Sequence, residues 1–498
     1  MPTAHNFLAI DIGAESGRAI IGSLQDRQLT LTETYRFTNG PVQLSDGLHW
    51  DVLRIWSDIK EGIGRSTRIE NRLDGIGLDT WAVDFALLDE KGGLLGDPFH
   101  YRDSRTDGRM EEAFKSMSRA EIFANSGVQF MQLNTLYQLI ALRENNPSML
   151  DAAKTFVTIP DLFNYWLCGE ITNEFTNATT TQCFDPRKRD WSTAILDAFK
   201  IPRHLFRPVT EPGTRVGRLL ADIAEEIHAD AIPVIVPACH DTGSAVVAVP
   251  ASAADFVWIS SGTWSIMGVE TELPVINEKA LEYNFTNEGG ACGTWRFSKN
   301  IMGLWLIQEC RREWMRHGEV VSYDTLIQMA SDSEPFLSVI DPDFAEFLHS
   351  GDMPARIQKF CADTNQPVPQ SKGQIVRIVL EGIALKYRWV LEKLEELTRK
   401  HFGTIHIIGG GTQNRLLNQF AANATRRMVI TGPVEATAIG NILMQAIGLK
   451  QLRSLAEARE VVRASFEGEI IEPDRSAGWD DAYARLVELM KIVLARQA

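Results

Sequence analysis

The stretch that decides the fold is FLAIDIGAESGRAIIGSL, residues 7–24. An apolar run reaches an acidic residue, Asp11, and a turn of small residues follows. A second apolar run then begins at once. Two apolar runs flanking so short a turn read as a buried β-hairpin. The turn fits neither G-x-G-x-x-G nor G-x-x-x-x-G-K-[ST], and it carries no lysine. A hairpin at this point also argues against a dinucleotide-binding dehydrogenase, whose first glycine turn enters a helix.

Working outward, a third strand is expected near LTLTETYRF. A helix is expected in HWDVLRIWSDIKEGIGRS, where Val52, Ile55, Trp56 and Ile59 recur at helical spacing behind Asp51. LDGIGLDTW reads as a short buried strand and DFALLDEKGGLLG as a hairpin. Residues 110–230 read as mostly helical, broken by prolines. AIPVIVPACHDTGSAV reads as a buried strand entering a helix of small residues.

The segment 249–256, VPASAADF, reads as a join. Directly after it FVWISSGTWSIMGVE, residues 256–270, repeats the opening pattern of strand, small turn and strand. TIHIIGGGTQNRLLNQFAANAT and MVITGPVEATAIGNILMQAIG each read as strand, turn and helix. The expectation is therefore an α/β chain of two related domains, 1–248 and 249–498, with mixed sheets flanked by helices. The last helix is placed across the boundary.

Bulk numbers exclude several classes. The 498 residues exceed one core. With 44% apolar and 23% charged residues the chain is ordinary globular material rather than disordered. Fifty basic and 65 acidic residues give a net charge of −15, which disfavours nucleic acid or anionic membrane as partner. The six cysteines form no C-x-x-C pair, and no leader or spanning run is visible. A cytoplasmic, reducing location is expected.

Small-residue turns follow buried strands at 13–17, 243–244, 261–263 and 409–411. One such turn signifies only a tight bend; four favour backbone N–H groups aimed at an anionic ligand. Asp11 reads either as a turn former or as a carboxylate holding Mg2+ through water. Arg18 reads as a surface ion pair or a phosphate contact. Asp241 follows a strongly apolar run, where a carboxylate is expensive unless it is paired or used. It reads as a helix N-cap or as the base that accepts a hydroxyl proton in phosphoryl transfer.

The blocks DIGAESGR, GLDTWAVDF, CHDTGSA, SSGTWSIMG and IIGGGTQN occur in this order. They resemble the FGGY carbohydrate kinases of the actin-like ATPase superfamily. YRDSRTDG, LNTLYQL, FTNATTTQCFD, FTNEGGACGTWRFSKNIMGLWLIQEC and ITGPVEATAIGN narrow the resemblance to members acting on L-rhamnulose. It implies two actin-like (ribonuclease H-like) domains that close on the sugar, with ATP and Mg2+. The first domain would carry the sugar site and base, the second the nucleotide. It implies ATP phosphate contacts at Ala14, Glu15, Ser16, Gly17 and Arg18, with Asp241 as proton acceptor. Ala82, His240, Thr242 and Asn300 join Asp241 at the sugar, and Thr263, Gln308 and Gly410 hold the nucleotide. The implied reaction phosphorylates the ketose 1-hydroxyl; L-fuculose and D-xylulose are alternative substrates. A non-enzymatic actin-like ATP-binding protein is a further alternative, although such a protein needs no base at Asp241.

Overall fold

The computed structural model describes residues 4–253, 255–474 and 476–497, with side chains through residue 491. The chain forms two compact units. The first comprises the described residues up to Ser252 together with Glu270–Phe297 and Glu435–Phe466; the second comprises Ala253–Val269, Ser298–Val434 and Glu467 onward. Two segments after residue 249 thus return to the first unit.

The first unit is built on six strands: β1 (His5–Ile12), β2 (Ser16–Gln25), β3 (Gln28–Thr38), β4 (Gly75–Thr80), β5 (Thr214–Arg218) and β6 (Pro233–Val236). Their order is β5-β6-β4-β1-β2-β3. β1 runs antiparallel to β2 and parallel to β4, and β4 runs parallel to β6. β1 is central, and its run from Phe7 to Ile12 is buried throughout, which explains its unbroken apolar pattern. β5 lies in a stretch read as helical; it is a short, largely polar edge strand that gives little periodic signal.

Helices cover both faces. In Val52–Ile69 the Asp51 carboxylate caps the N-terminus by accepting from Arg54 N at 3.0 Å, and Val52, Ile55, Ile59 and Ile63 point into the core. The late helix Ala436–Gly448 returns to the same sheet, where Gln445 Nε2 donates to Leu8 O at 3.0 Å. This helix crosses Asp241–Val247 so closely that a side chain on Gly440 would strike the Ser244 backbone. That crossing accounts for the small residues of ATAIGN.

In the second unit Val257–Ser261 is antiparallel to Trp264–Thr271 and parallel to Thr404–Ile408. The set continues through Met428–Thr431 to Ile470–Ile471. The relations of β1 to β2 and β4 are thus repeated. Lys372–Thr398, begun by a Ser371/Gln374 capping box, packs against Arg415–Thr425. The C-terminal helix Trp479–Gln497 belongs to this unit, and its Asp480 pairs with Arg388 at 2.7 Å.

Candidate active site

In the first unit the parallel strands β1, β4 and β6 end at one edge, and three carboxylates gather there. Asp11 is the penultimate residue of β1 and stands in register with Asp79, the penultimate residue of β4. The segment after β6 continues alongside: Thr80 bridges His240, and Thr80 N donates to Cys239 O at 2.9 Å. Asp241 follows. The carboxyl edge of parallel strands is where α/β sheets bind ligands.

The three carboxylates feel one another. Burial pushes the Asp11 carboxyl up to about 6; Arg18 opposes this, while Asp241 and Glu435 add to it. Burial raises Asp79 well above the usual carboxylate range, and the Asp11 charge raises it further. Asn441, from the late helix, donates to Asp79 Oδ2 at 2.6 Å and opposes the rise. Arg18 Nε lies 3.0 Å from Asp11 Oδ2, without hydrogen-bond alignment, and Arg18 Nη1 donates to Glu435 Oε2 at 2.7 Å. Arg18 is therefore a bridge between two acidic groups rather than a solvated surface cation.

The turn between β1 and β2 is held by backbone bonds. Gly13 N donates to Ser16 O at 2.9 Å, Asn39 N to Glu15 O at 2.9 Å, and Asn39 Nδ2 to Gly13 O at 2.9 Å. Ala14 and Ser16 are half-buried, Glu15 is exposed, and Gly17 is buried in register with Ile12.

His240, not Asp241, occupies the N-cap position of the Asp241–Val247 helix and caps it with no side-chain bond. Asp241 Oδ1 accepts from Thr242 N at 2.5 Å and from Thr242 Oγ1 at 3.1 Å. A third of the Asp241 side chain is exposed, 33%, so it faces open space instead of being sealed in the core. His240 is buried. Its Nδ1 accepts from Arg296 Nη2 at 2.9 Å, and its Nε2 is 3.4 Å from Asp241 Oδ1.

Ala82 is half-buried beside Trp81, whose Nε1 donates to Asp84 Oδ2 at 3.0 Å. Asp84 also takes Trp50 Nε1 at 2.6 Å and Gln138 Nε2 at 2.8 Å. Burial lifts the Asp84 carboxyl to about 6 against these bonds. The intervening Val83 has φ of 69°, an uncommon conformation for a β-branched residue, and its carbonyl accepts from Thr135 Oγ1 at 2.6 Å.

The second unit gathers the other set. Gln308 Nε2 donates to Thr263 Oγ1 at 3.3 Å. Leu304 N and Trp305 N donate to Gly262 O and Thr263 O, both at 3.1 Å, so the 261–264 turn caps the Trp305–Arg316 helix. The triple glycine arrives at the same place. Gly409 needs its φ of 84°, and a side chain on Gly411 would strike Ser261, whereas one on Gly410 would meet no protein atom within 4 Å. Asn300 is half-buried on the strand Trp295–Met302 and belongs to this unit.

Sequence reasoning missed Asp79, Glu288, Arg296, Glu435 and Asn441. Asp79 sits in the quoted GLDTW block, and the cost argument applied to Asp241 applies to it equally. Glu288 and Arg296 are charges inside otherwise buried strands. Among the described residues no group of three or more His, Cys, Asp or Glu side chains could hold a metal unaided. No helix among them is long and apolar enough to cross a membrane.

Residues 6–248 match the N-terminal domain of the FGGY family of carbohydrate kinases, and residues 257–449 match its C-terminal domain. A Bacteroides thetaiotaomicron protein named rhamnulokinase is 42% identical over 478 residues, covering 96% of this chain and 98% of that one. The Oceanobacillus iheyensis rhamnulokinase is 42% identical over 460 residues, covering 92% and 97%. The structure of a ligand-bound xylulose kinase from Lactobacillus acidophilus superposes with a TM-score of 0.83 over 99% of both chains at 14% identity, a likeness of fold.

Proposed function

The chain belongs to the FGGY family of carbohydrate kinases, and from that premise we propose that it transfers the γ-phosphoryl group of ATP to the 1-hydroxyl of L-rhamnulose, giving L-rhamnulose 1-phosphate and ADP. The choice of ketose rests on the relatives named rhamnulokinase, which match nearly the full chain at 42% identity. The observation that carries the chemistry is Asp241, a partly exposed carboxylate whose Oδ1 takes both Thr242 bonds. Its Oδ2 is left to accept the hydroxyl proton as the oxygen attacks phosphorus.

Ala82, His240, Thr242 and Asn300 hold the sugar. The Ala14–Arg18 turn meets the phosphates with backbone groups, and Arg18 supplies positive charge among the carboxylates. Thr263, Gln308 and Gly410 hold the nucleotide; a side chain on Gly410 would meet no protein atom within 4 Å, which leaves room beside it. Mg2+ accompanies the ATP. Asp11 Oδ2 and Asp79 Oδ1 are buried oxygens without hydrogen-bond partners, hard donors suited to this ion. When bound, the ion offsets the charge of the phosphates.

A coupled ADP-release assay over a panel of L-rhamnulose, L-fuculose and D-xylulose tests the reading. L-Rhamnulose should give the highest kcat/KM. Turnover of D-xylulose as good as that of L-rhamnulose would remove the specific substrate, and no turnover of any ketose would remove the kinase.

A further inference from the structure

Behind Asp241 lies a group of buried charges for which phosphoryl transfer as described has no use. Arg296 is fully buried, at 0% exposure, and its Nε donates to Gly289 O at 2.8 Å, which fixes the plane of the guanidinium. Its Nη2 lies 2.9 Å from His240 Nδ1 and 3.2 Å from Glu288 Oε2. Glu288 Oε2 is also 3.4 Å from His240 Nδ1. A buried ion pair of this kind seldom contributes stability beyond what apolar packing would give, so its presence asks for another reason.

The reason follows from which atoms can donate. A guanidinium has five N–H donors and no acceptor. Two groups meet His240 Nδ1, the donor Arg296 Nη2 at 2.9 Å and the acceptor Glu288 Oε2 at 3.4 Å; the shorter, aligned contact is the one to Arg296, and it makes Nδ1 the acceptor and leaves the proton of a neutral ring on Nε2. Nε2 is the nitrogen that faces Asp241 Oδ1, at 3.4 Å. The ring is anchored from its backbone as well: His240 N donates to Thr176 Oγ1 at 3.0 Å, and Thr176 Oγ1 donates to Glu174 Oε2 at 2.7 Å.

We propose that Arg296, its charge sustained by Glu288, is a positioning residue that holds His240 as the Nε2–H tautomer with Nε2 facing Asp241 Oδ1. Thr242 N and Oγ1 already bond Oδ1, and the imidazole places Nε2 3.4 Å from the same oxygen, close enough to hold it by charge without hydrogen-bond alignment. The other oxygen, Oδ2, is thereby presented to the acceptor hydroxyl. Glu288 balances the Arg296 charge: burial pulls the guanidinium down, and Glu288 is the strongest influence holding it up. His240 thus orients the base in addition to touching the sugar. The inference rests on Asp241 being the base of the proposed kinase.

The test uses the full-length protein labelled with 15N-histidine. The His240 ring nitrogens are assigned by loss of their signals in His240→Gln. At neutral pH, Nε2 should be protonated and Nδ1 should be a bare acceptor. Arg296→Met should mix the tautomers and lower kcat for the ketose by roughly 10- to 100-fold, part of what a positioned base supplies, with KM for ATP unchanged. Arg296→Lys, which keeps a donor, should restore the tautomer and most of kcat. A wild-type spectrum showing Nδ1–H overturns the proposal whether or not any variant folds. So does an Arg296→Met enzyme with unaltered kcat. Because the spectrum needs no sugar, a failure of the kinase reading would show separately, as absent ketose turnover with the tautomer as stated.

Discussion

The two hairpins, β1–β2 and Val257–Ser261 with Trp264–Thr271, share a topology and differ in chemistry. Each first strand pairs antiparallel with its hairpin partner and parallel with a later strand. The first hairpin ends among Asp11, Asp79, Asp241, Arg18 and Glu435; the second ends on Ser261, Thr263 and Gln308, with no charge in its turn. The difference teaches that one hairpin topology is repeated while buried ionisable groups gather at only one of the two turns. Loss of charge in the first should therefore stop turnover, and loss of a polar group in the second should weaken nucleotide binding.

The largest effect is expected from Asp241→Asn. Turnover should fall by roughly 10²–10⁴, the contribution of a positioned general base, with ATP affinity by calorimetry near wild type. Full turnover in that variant would end the contrast. Next comes Asp11→Asn, which should raise the Mg2+ concentration needed for half-maximal rate by roughly tenfold or more, as loss of a charged oxygen donor implies. A metal titration of initial rates measures it; an unshifted midpoint would take Asp11 away from the ion. In the second hairpin, Thr263→Val should raise KM for ATP by roughly fivefold, the worth of about one hydrogen bond, with kcat unchanged. Gly410→Ala should also raise that KM while leaving thermal stability intact. Gly411→Ala should instead lower stability by about 1–3 kcal/mol, because Ser261 occupies its space.

A further expected effect, on folding rather than turnover, is on stability against pH. The Asp84 carboxyl is raised from 3.8 to about 6 by burial. A carboxyl held higher in the folded state binds its proton more tightly there, so stability falls as pH rises through this window. The loss is on the order of 2–3 kcal/mol and is complete above about pH 6. Asp84→Asn should flatten that slope in denaturant melts between pH 4 and 7. An unchanged slope would assign it to other buried carboxyls such as Asp161, also raised to about 6.

Both hairpins were legible in the sequence because the signal is local: an apolar run, a turn of small residues and a second apolar run within eighteen residues. The helix at Val52–Ile69 was legible for the same reason, through its period and Asp51. Asp241 stands out in the sequence by the cost of a carboxylate after a buried strand, although the structure leaves a third of it exposed and gives the N-cap to His240. What could not be read were pairings across long separations. Arg18 meets Glu435, and Asn441 meets Asp79, across more than 360 positions. The small residues around Gly440 were visible, yet the reason for them, the Ser244 backbone, exists only in three dimensions.

The return of Glu435–Phe466 to the first unit also orders events in time. During synthesis β1 and β2 emerge early, yet the helix that covers Leu8 and Gly22 emerges more than four hundred residues later. Until then the central strand has one bare apolar face, and this is the interval in which such a sheet is most open to aggregation. A fragment ending at residue 248 should keep that bare face permanently. The nascent first unit must therefore wait, or be sheltered, until the second is almost finished.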